Sequence, residues 1–157
     1  MHPRIREAVD ADIAPMHVIR LAVRENTLSD PSWLTPEVYR TYLATGSKGC
    51  TWVAELDGRI VGFSTARLGE RDIWALFVDP ACEGCGIGRA LLDAAIAWLF
   101  ARGAEAIELG TTPDTRADRF YRAAGWQRGA MTERGDVIFR LPNPSVGASL
   151  SLETASC

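Results

Sequence analysis

The residues best placed to do chemistry form one run, Phe77-Val78-Asp79-Pro80-Ala81-Cys82-Glu83-Gly84-Cys85-Gly86-Ile87-Gly88-Arg89-Ala90-Leu91-Leu92. An apolar strand enters a glycine-rich loop, and the loop opens an amphipathic helix. Gly84, Gly86 and Gly88 permit a sharp turn and let a ligand approach the main chain with no Cβ in between. The N–H groups of Gly86 to Arg89 then stand unpaired at a helix start, where the dipole favours an anion. That combination makes a phosphate site out of backbone. The spacing Gly84-Cys85-Gly86-Ile87-Gly88 lacks the third glycine of a dinucleotide fingerprint. No Gly-Lys-Ser/Thr follows, which excludes a nucleotide P-loop.

A second segment narrows the choice of phosphate ligand. Asp114-Thr115-Arg116-Ala117-Asp118-Arg119-Phe120-Tyr121-Arg122-Ala123-Ala124-Gly125-Trp126 reads as a short helix closed by Gly125 and followed by a strand. Together the two segments resemble the GNAT superfamily of acyl-CoA N-acyltransferases. The first looks like that family's Gln/Arg-x-x-Gly-x-Gly/Ala pyrophosphate loop, the second like its Asn-x-x-Ala-x-x-Phe-Tyr-x-x-x-Gly-Phe segment. The resemblance follows the element order from residue 4 to residue 141 and is specific mainly in residues 73 to 126.

The resemblance implies an N-acetyltransferase that moves the acetyl group of acetyl-CoA to a primary amine by direct attack. The pyrophosphate would meet Gly84, Cys85, Gly86, Ile87, Gly88 and Arg89. The peptide-like pantetheine arm would pair with an open strand at Leu76, Phe77 and Val78, as an added strand does. Tyr121 falls where the family often has a tyrosine that protonates the departing thiolate or bonds its sulfur, and a phenol of pKa ~10 suits proton donation to a thiolate. Asp114 stands in the family's Asn position, where it would cap the helix that follows and accept a bond from the arm. Glu25, in a region that lines the acceptor side in relatives, is the first candidate for the general base, with Asp72 and Glu108 as alternatives. Glu83 departs from the usual Gln or Arg and would have to turn its carboxylate away from a pyrophosphate. Cys85 replaces what is often a basic residue, a loss that Arg116 and Arg119 could offset. The alternative reading on the same fold is an acyl-CoA-binding regulatory module with little catalysis. The acceptor would be a small-molecule or peptide amine, and a homodimer would fit the family.

The elements that must hold these residues follow from periodicity. Strands are expected at residues 5–9, 51–56, 60–66, 72–78 and 106–110, with a closing hairpin over 126–131 and 137–141. Asp57-Gly58 supplies the tight turn of the first hairpin. Helices are expected from Ile13 to Val23, from Pro36 to Gly46 behind the cap Thr35, and from Ile87 to Gly103. The order is β-α-α-β-β-β-α-β-α-β-β. It describes an α/β fold, one mixed and mostly antiparallel sheet with helices on both faces and a central parallel pair. In GNAT proteins that pair splays apart to admit the cofactor arm; here it would be 72–78 and 106–110. Trp33, Tyr39, Tyr42 and Trp74 are candidates for an aromatic acceptor pocket or for core.

Size and composition set the frame. A chain of 157 residues, 47% hydrophobic and 24% charged, suits one domain over 1–142 with a polar, flexible tail over 143–157. A net charge of −3 gives no general attraction to nucleic acid or to an anionic membrane. No apolar run reaches bilayer length and residues 1–4 have no signal-peptide character, so a cytoplasmic location is expected. Cys82 and Cys85 form a lone Cys-x-x-Cys without further ligands nearby, so loop thiols are expected rather than a metal or redox centre.

Overall fold

The computed structural model describes residues 2–25, 27–44 and 48–145. Seven strands form one sheet: β1 (Arg4–Glu7), β2 (Gly49–Leu56), β3 (Arg59–Arg67), β4 (Asp72–Val78), β5 (Ala106–Thr111), β6 (Gln127–Met131) and β7 (Val137–Pro142). The helices are α1 (Ile13–Ala22), α2 (Pro36–Thr41), α3 (Ile87–Ala101) and α4 (Arg116–Ala123). Strand order across the sheet is β1-β2-β3-β4-β5-β7-β6, and every neighbouring pair is antiparallel except β4–β5. The expected α/β architecture is therefore the observed one.

Two cores flank the sheet. On one face α3 buries Leu91, Leu92, Ala95 and Leu99 against β2, β3 and β5, and the cluster extends to Tyr121, Trp126 and Phe139. On the other, α1 buries Ile13, Met16 and Ile19 against Val53, Phe63 and Ala75. Strands in the middle of the sheet are covered on both sides, which explains the near-continuous apolar runs of β3 and β4. Gly62 lets α3 lie close to β3: a Cβ there would come within 3.0 Å of Leu91 and 3.1 Å of the Phe77 carbonyl oxygen.

The β4–β5 pair is short. Only Asp72 and Glu108 are register partners, so the strands part after the first residue of β4. On its other side β4 stays paired to β3 through Val78. One irregularity interrupts that ladder: Ala66 faces Ile73 and Thr65 faces Ala75, leaving Trp74 as the extra residue of a bulge. The bulge sends Trp74 and Ala75 to the same side, the α1–α2 face.

Boundaries differ from expectation where tertiary contacts decide them. The second helix stops at Thr41 rather than continuing to Gly46, a residue outside the described ones. Tyr42 leaves helical geometry and packs on Trp74, 5.4 Å between ring centroids. Tyr39 is core, in edge contact with Phe63 and hydrogen-bonded to His17, while Trp33, Tyr42 and Trp74 form a separate group with Trp33 half exposed. Of the tail expected over 143–157, residues 146–157 lie outside the described ones; Asn143 instead is buried and donates to the Ala104 carbonyl at 3.0 Å.

Leu91→Ala removes a fully buried side chain from the α3–sheet core. It should lower unfolding free energy by about 2–5 kcal/mol in urea titration, with the slope unchanged. A loss below about 1 kcal/mol would mean the core had collapsed onto the space.

Candidate active site

Beside the edge of β4 that β5 leaves free lies a cavity of about 540 Å³. Leu76, Phe77 and Val78 all line it. Consecutive strand residues point to opposite faces, so a cavity touching all three passes through the sheet. One side is reached from α3 and α4, through Gly86, Gly88, Ala117, Phe120 and Tyr121. The other is bounded by Val23, Arg24 and Glu25, which follow α1. The edge of β4 facing the gap has no β5 partner beyond Asp72, so main-chain groups there are open to a ligand.

The glycine-rich loop meets the cavity at the start of α3. Gly84 and Gly86 adopt φ of 81° and 80°, a region that disfavours L side chains. Gly86 is the N-cap and offers no side chain to the first turn. Ala90 N–H is bonded back to the Gly86 carbonyl, but the preceding N–H groups have no capping side chain among the described residues. At Gly88 a Cβ would stand 3.6 Å from Val78 and 3.9 Å from Phe120, in the space between β4 and α4. The donor set therefore fits a diphosphate carried on a narrow arm.

Charge at the mouth is opposite to that of the whole chain. Four arginines, Arg24, Arg89, Arg116 and Arg119, line the cavity against two carboxylates, Glu25 and Glu83. Glu83 is turned toward Arg116, 3.6 Å from its Nη1, which offsets part of the repulsion its position threatens. Arg89 lines the cavity while bonded to Asp93 at 3.1 Å, one turn along the helix.

Tyr121 is buried among Phe120, Trp126 and Phe139, with ring centroids 5.3–5.6 Å away, yet it also lines the cavity. Burial pushes its phenol pKa upward, because a phenolate would be desolvated there. Glu25 lines the cavity too, and its Oε1 accepts from the Arg116 N–H at 3.2 Å. Of the alternatives, Asp72 is held by Arg67 and Glu108 lies on the exposed side of β5; neither borders the cavity.

Two expected site residues sit elsewhere. Cys85 is exposed, its thiol directed at the Glu83 carbonyl, and it does not border the cavity. Asp114 does not border it either, and it is not the cap of α4. Thr115 is, with extended φ of −99° and its Oγ1 accepting from Asp118 N–H at 3.3 Å. Asp114 takes the preceding left-handed position (φ 62°), which a short carboxylate tolerates better than most side chains.

A residue that sequence reading passed over holds this corner together. Asp118 is buried and accepts from Asp114 N–H at 2.8 Å, from Arg122 at 2.9 Å and from Arg128 at 3.2 Å. These bonds tie the turn before α4, the helix itself and β6. The Arg128 hydrogen bond, with help from Asp114 N–H and Arg122, holds the Asp118 carboxyl well below the usual carboxylate range. Its sequence signal was slight: an Asp four residues before an Arg on a helix also describes a surface pair.

An open mixed sheet whose central parallel pair parts beside a helix start with no capping side chain is the arrangement that the resemblance to acyl-CoA-dependent transferases implies. Comparison with known proteins makes this specific. A family model described as the acetyltransferase (GNAT) family matches residues 17–126, and the chain belongs to this family. It is an acetyl-CoA-dependent N-acetyltransferase by that membership. It is 32% identical to aminoglycoside N(6′)-acetyltransferase type 1 of Stenotrophomonas maltophilia, over 89% of this chain and 94% of that protein. Mycothiol acetyltransferase of Thermomonospora curvata is 33% identical over 59% of this chain, but the match spans only 31% of that longer protein. In fold the chain is similar to the PaiA N-acetyltransferase of Thermoplasma acidophilum solved with coenzyme A, at a TM-score of 0.76 and 18% identity over 90% and 99% of the two chains.

Because Asp118 is held ionised by folding, its contribution is present above the ordinary carboxylate range and lost as acid protonates it. Asp118→Asn should lower the melting temperature at pH 7. It should also flatten the fall in melting temperature that the wild type shows between about pH 5 and about pH 3. Equal slopes for both proteins would show that other carboxylates govern acid stability.

Proposed function

We propose that the cavity binds acetyl-CoA across the sheet and that Tyr121 and Glu25 serve the transfer of its acetyl group to an amine. The observation that carries this reading is the continuity of one cavity from the uncapped start of α3, past the open edge of β4, to Tyr121 and Glu25. The diphosphate would rest on N–H groups of the Gly84–Arg89 turn, with Arg116 and Arg119 adding charge. The arm would run along Leu76–Val78 as an added strand. When bound, the thioester supplies an acetyl carbon open to attack by a neutral amine.

The chain's own residues account for the rest. An open β4 N–H polarises a carbonyl placed against it as charge builds on oxygen. Tyr121 stays a neutral phenol because burial disfavours the phenolate, so its O–H can hydrogen-bond the sulfur as negative charge builds there, and full proton transfer has to be favoured by that developing thiolate. Overall one C–N bond forms, one C–S bond breaks, and one proton passes from nitrogen to sulfur. Glu25 keeps one oxygen on Arg116 N–H, leaving the other to take a proton from the amine directly or through water. The acceptor is a small-molecule or peptide amine, a range supported by the aminoglycoside acetyltransferase match and the likeness in fold to the Escherichia coli ribosomal-protein-S18-alanine N-acetyltransferase.

Acetyl-CoA should raise the melting temperature of the wild type, since a ligand selective for the folded state stabilises it. Thiol release in an amine library tests the transfer itself; a protein that neither shifts nor releases thiol would overturn the reading. Gly88→Val fills the space between Val78 and Phe120 and should abolish the shift. Tyr121→Phe should keep the shift and lower kcat by about 100-fold, within the usual range for a lost proton donor. An unchanged kcat would remove Tyr121 from the proton path.

A further inference from the structure

α1 carries its polarity reversed. Its two polar side chains, His17 and Arg20, turn toward the protein. His17 is bonded to the Tyr39 hydroxyl at 2.9 Å, and Arg20 lies over the Phe77 ring with its Nη1 sealed from solvent. Outward stand Ala14, Val18, Leu21 and Ala22, with Val18 67% and Leu21 52% exposed. Their spacing of i, i+4, i+7 and i+8 makes one stripe that spans about 100° of the helix. The other three helices expose charge: Glu37 and Arg40 on α2, Arg89 and Asp93 on α3, Arg119 and Arg122 on α4. α1 exposes none. A helix with apolar residues on every side belongs in an interior, and the sheet covers only one side of this one.

The chemistry of the stripe says what would cover it. It holds no charge, so it gives an acidic or basic partner nothing to pair with. A membrane surface would call for cations along its edges, and the one exposed cation nearby is Arg24, beyond the end of the helix. A second copy meets the requirement by symmetry, because two neutral stripes face each other with no charge buried. Ala14, Val18 and Ala22 run small, large, small along one ridge of the helix. About a two-fold axis at Val18, each Ala14 falls against Ala22 of the partner subunit, and the small side chains let the helix axes approach to ~8–10 Å. Antiparallel packing opposes the two helix dipoles. It also brings Asp10, exposed ahead of α1, toward Arg24 of the partner subunit, and the pairing repeats in the other half. Arg40 takes one oxygen of Asp10 and leaves the other.

We propose that the outer face of α1 is a two-fold interface between copies of this chain, with α1 packed antiparallel on α1 and Val18 at the axis. The contact takes out of water the apolar side chains that a single chain leaves exposed there. It is small: one pair of ten-residue helices buries less than the ~800 Å² per partner of a standard interface, so a dissociation constant on the order of 10 µM is expected. None of the four stripe residues borders the cavity, so the interface stands apart from the transferase reading.

Sedimentation equilibrium between about 1 and about 200 µM tests the association. The wild type should pass from the mass of one chain to that of two, and its melting temperature should rise with concentration. Val18→Glu sets two carboxylates face to face at the axis and should weaken association by about 30-fold or more; Leu21→Lys should weaken it too. At about 1 µM neither change should move the melting temperature by more than about 2 °C, since both positions are open to water in the single chain. The register is read from Val18→Cys in a chain that also carries Cys85→Ser and Cys157→Ser. Oxidised glutathione should join two copies through position 18, but not through Glu133→Cys, exposed between β6 and β7. That measurement decides the matter alone if the charged variants do not fold. Association that Val18→Glu leaves intact would overturn the proposal, as would an associated Val18→Cys chain that does not cross-link. So would a wild type that stays monomeric at about 200 µM, whether or not it then sediments with phosphatidylglycerol vesicles.

Discussion

Everything at the site depends on how little holds β4 to β5. The two strands share one register pair, Asp72 with Glu108, and then separate. A parallel pair buried in mid-sheet would ordinarily run its ladder to the end, because unpaired main-chain groups in the interior are costly. Here the ladder stops, and the groups it leaves unpaired border a cavity. The opening is a property of the backbone course, so it does not need a mobile segment or a particular side chain to exist.

The surroundings are built to keep that opening in place. β4 is fixed along its whole length by β3, and β5 by β7. Above the sheet, α3 is anchored by a row of buried leucines, and the absence of a side chain at Gly62 lets it approach closely. α4 has less apolar surface and depends on a buried carboxylate instead, with Asp118 binding the turn before it and β6 beside it. The two helices thus reach the cavity by different physics, one by hydrophobic packing and one by charge-assisted hydrogen bonds. Both face the opening, one with bare N–H groups and the other with Tyr121.

Much of this was legible in the sequence, for identifiable reasons. The bounds of β4 are those read from its apolar run, and Gly86 marks the start of α3 as glycine chemistry suggests. Tyr121, Gly88 and the Leu76–Val78 edge come together as the family resemblance implies. What local pattern could not supply was the outcome of competition between neighbours. Thr115 caps α4 in preference to Asp114 because the chain enters the helix extended at Thr115 and left-handed one residue earlier. Cys85 points away from the cavity although both of its flanking glycines shape the same turn. The bulge at Trp74 leaves no trace in an apolar run, yet it decides which face receives the indole.

The bond from Arg116 N–H to Glu25 joins residues 91 apart in the chain and bridges the crevice from one bank to the other. α4 and the segment after α1 are therefore mechanically linked across the opening. Where occupancy on one bank firms that link, the free energy of ordering the other has already been met in part, and linkage makes the help mutual and equal in size. Cooperation between two ligands can then arise in a single small domain, with one hydrogen bond from a main-chain N–H to a side-chain carboxylate as the hinge pin.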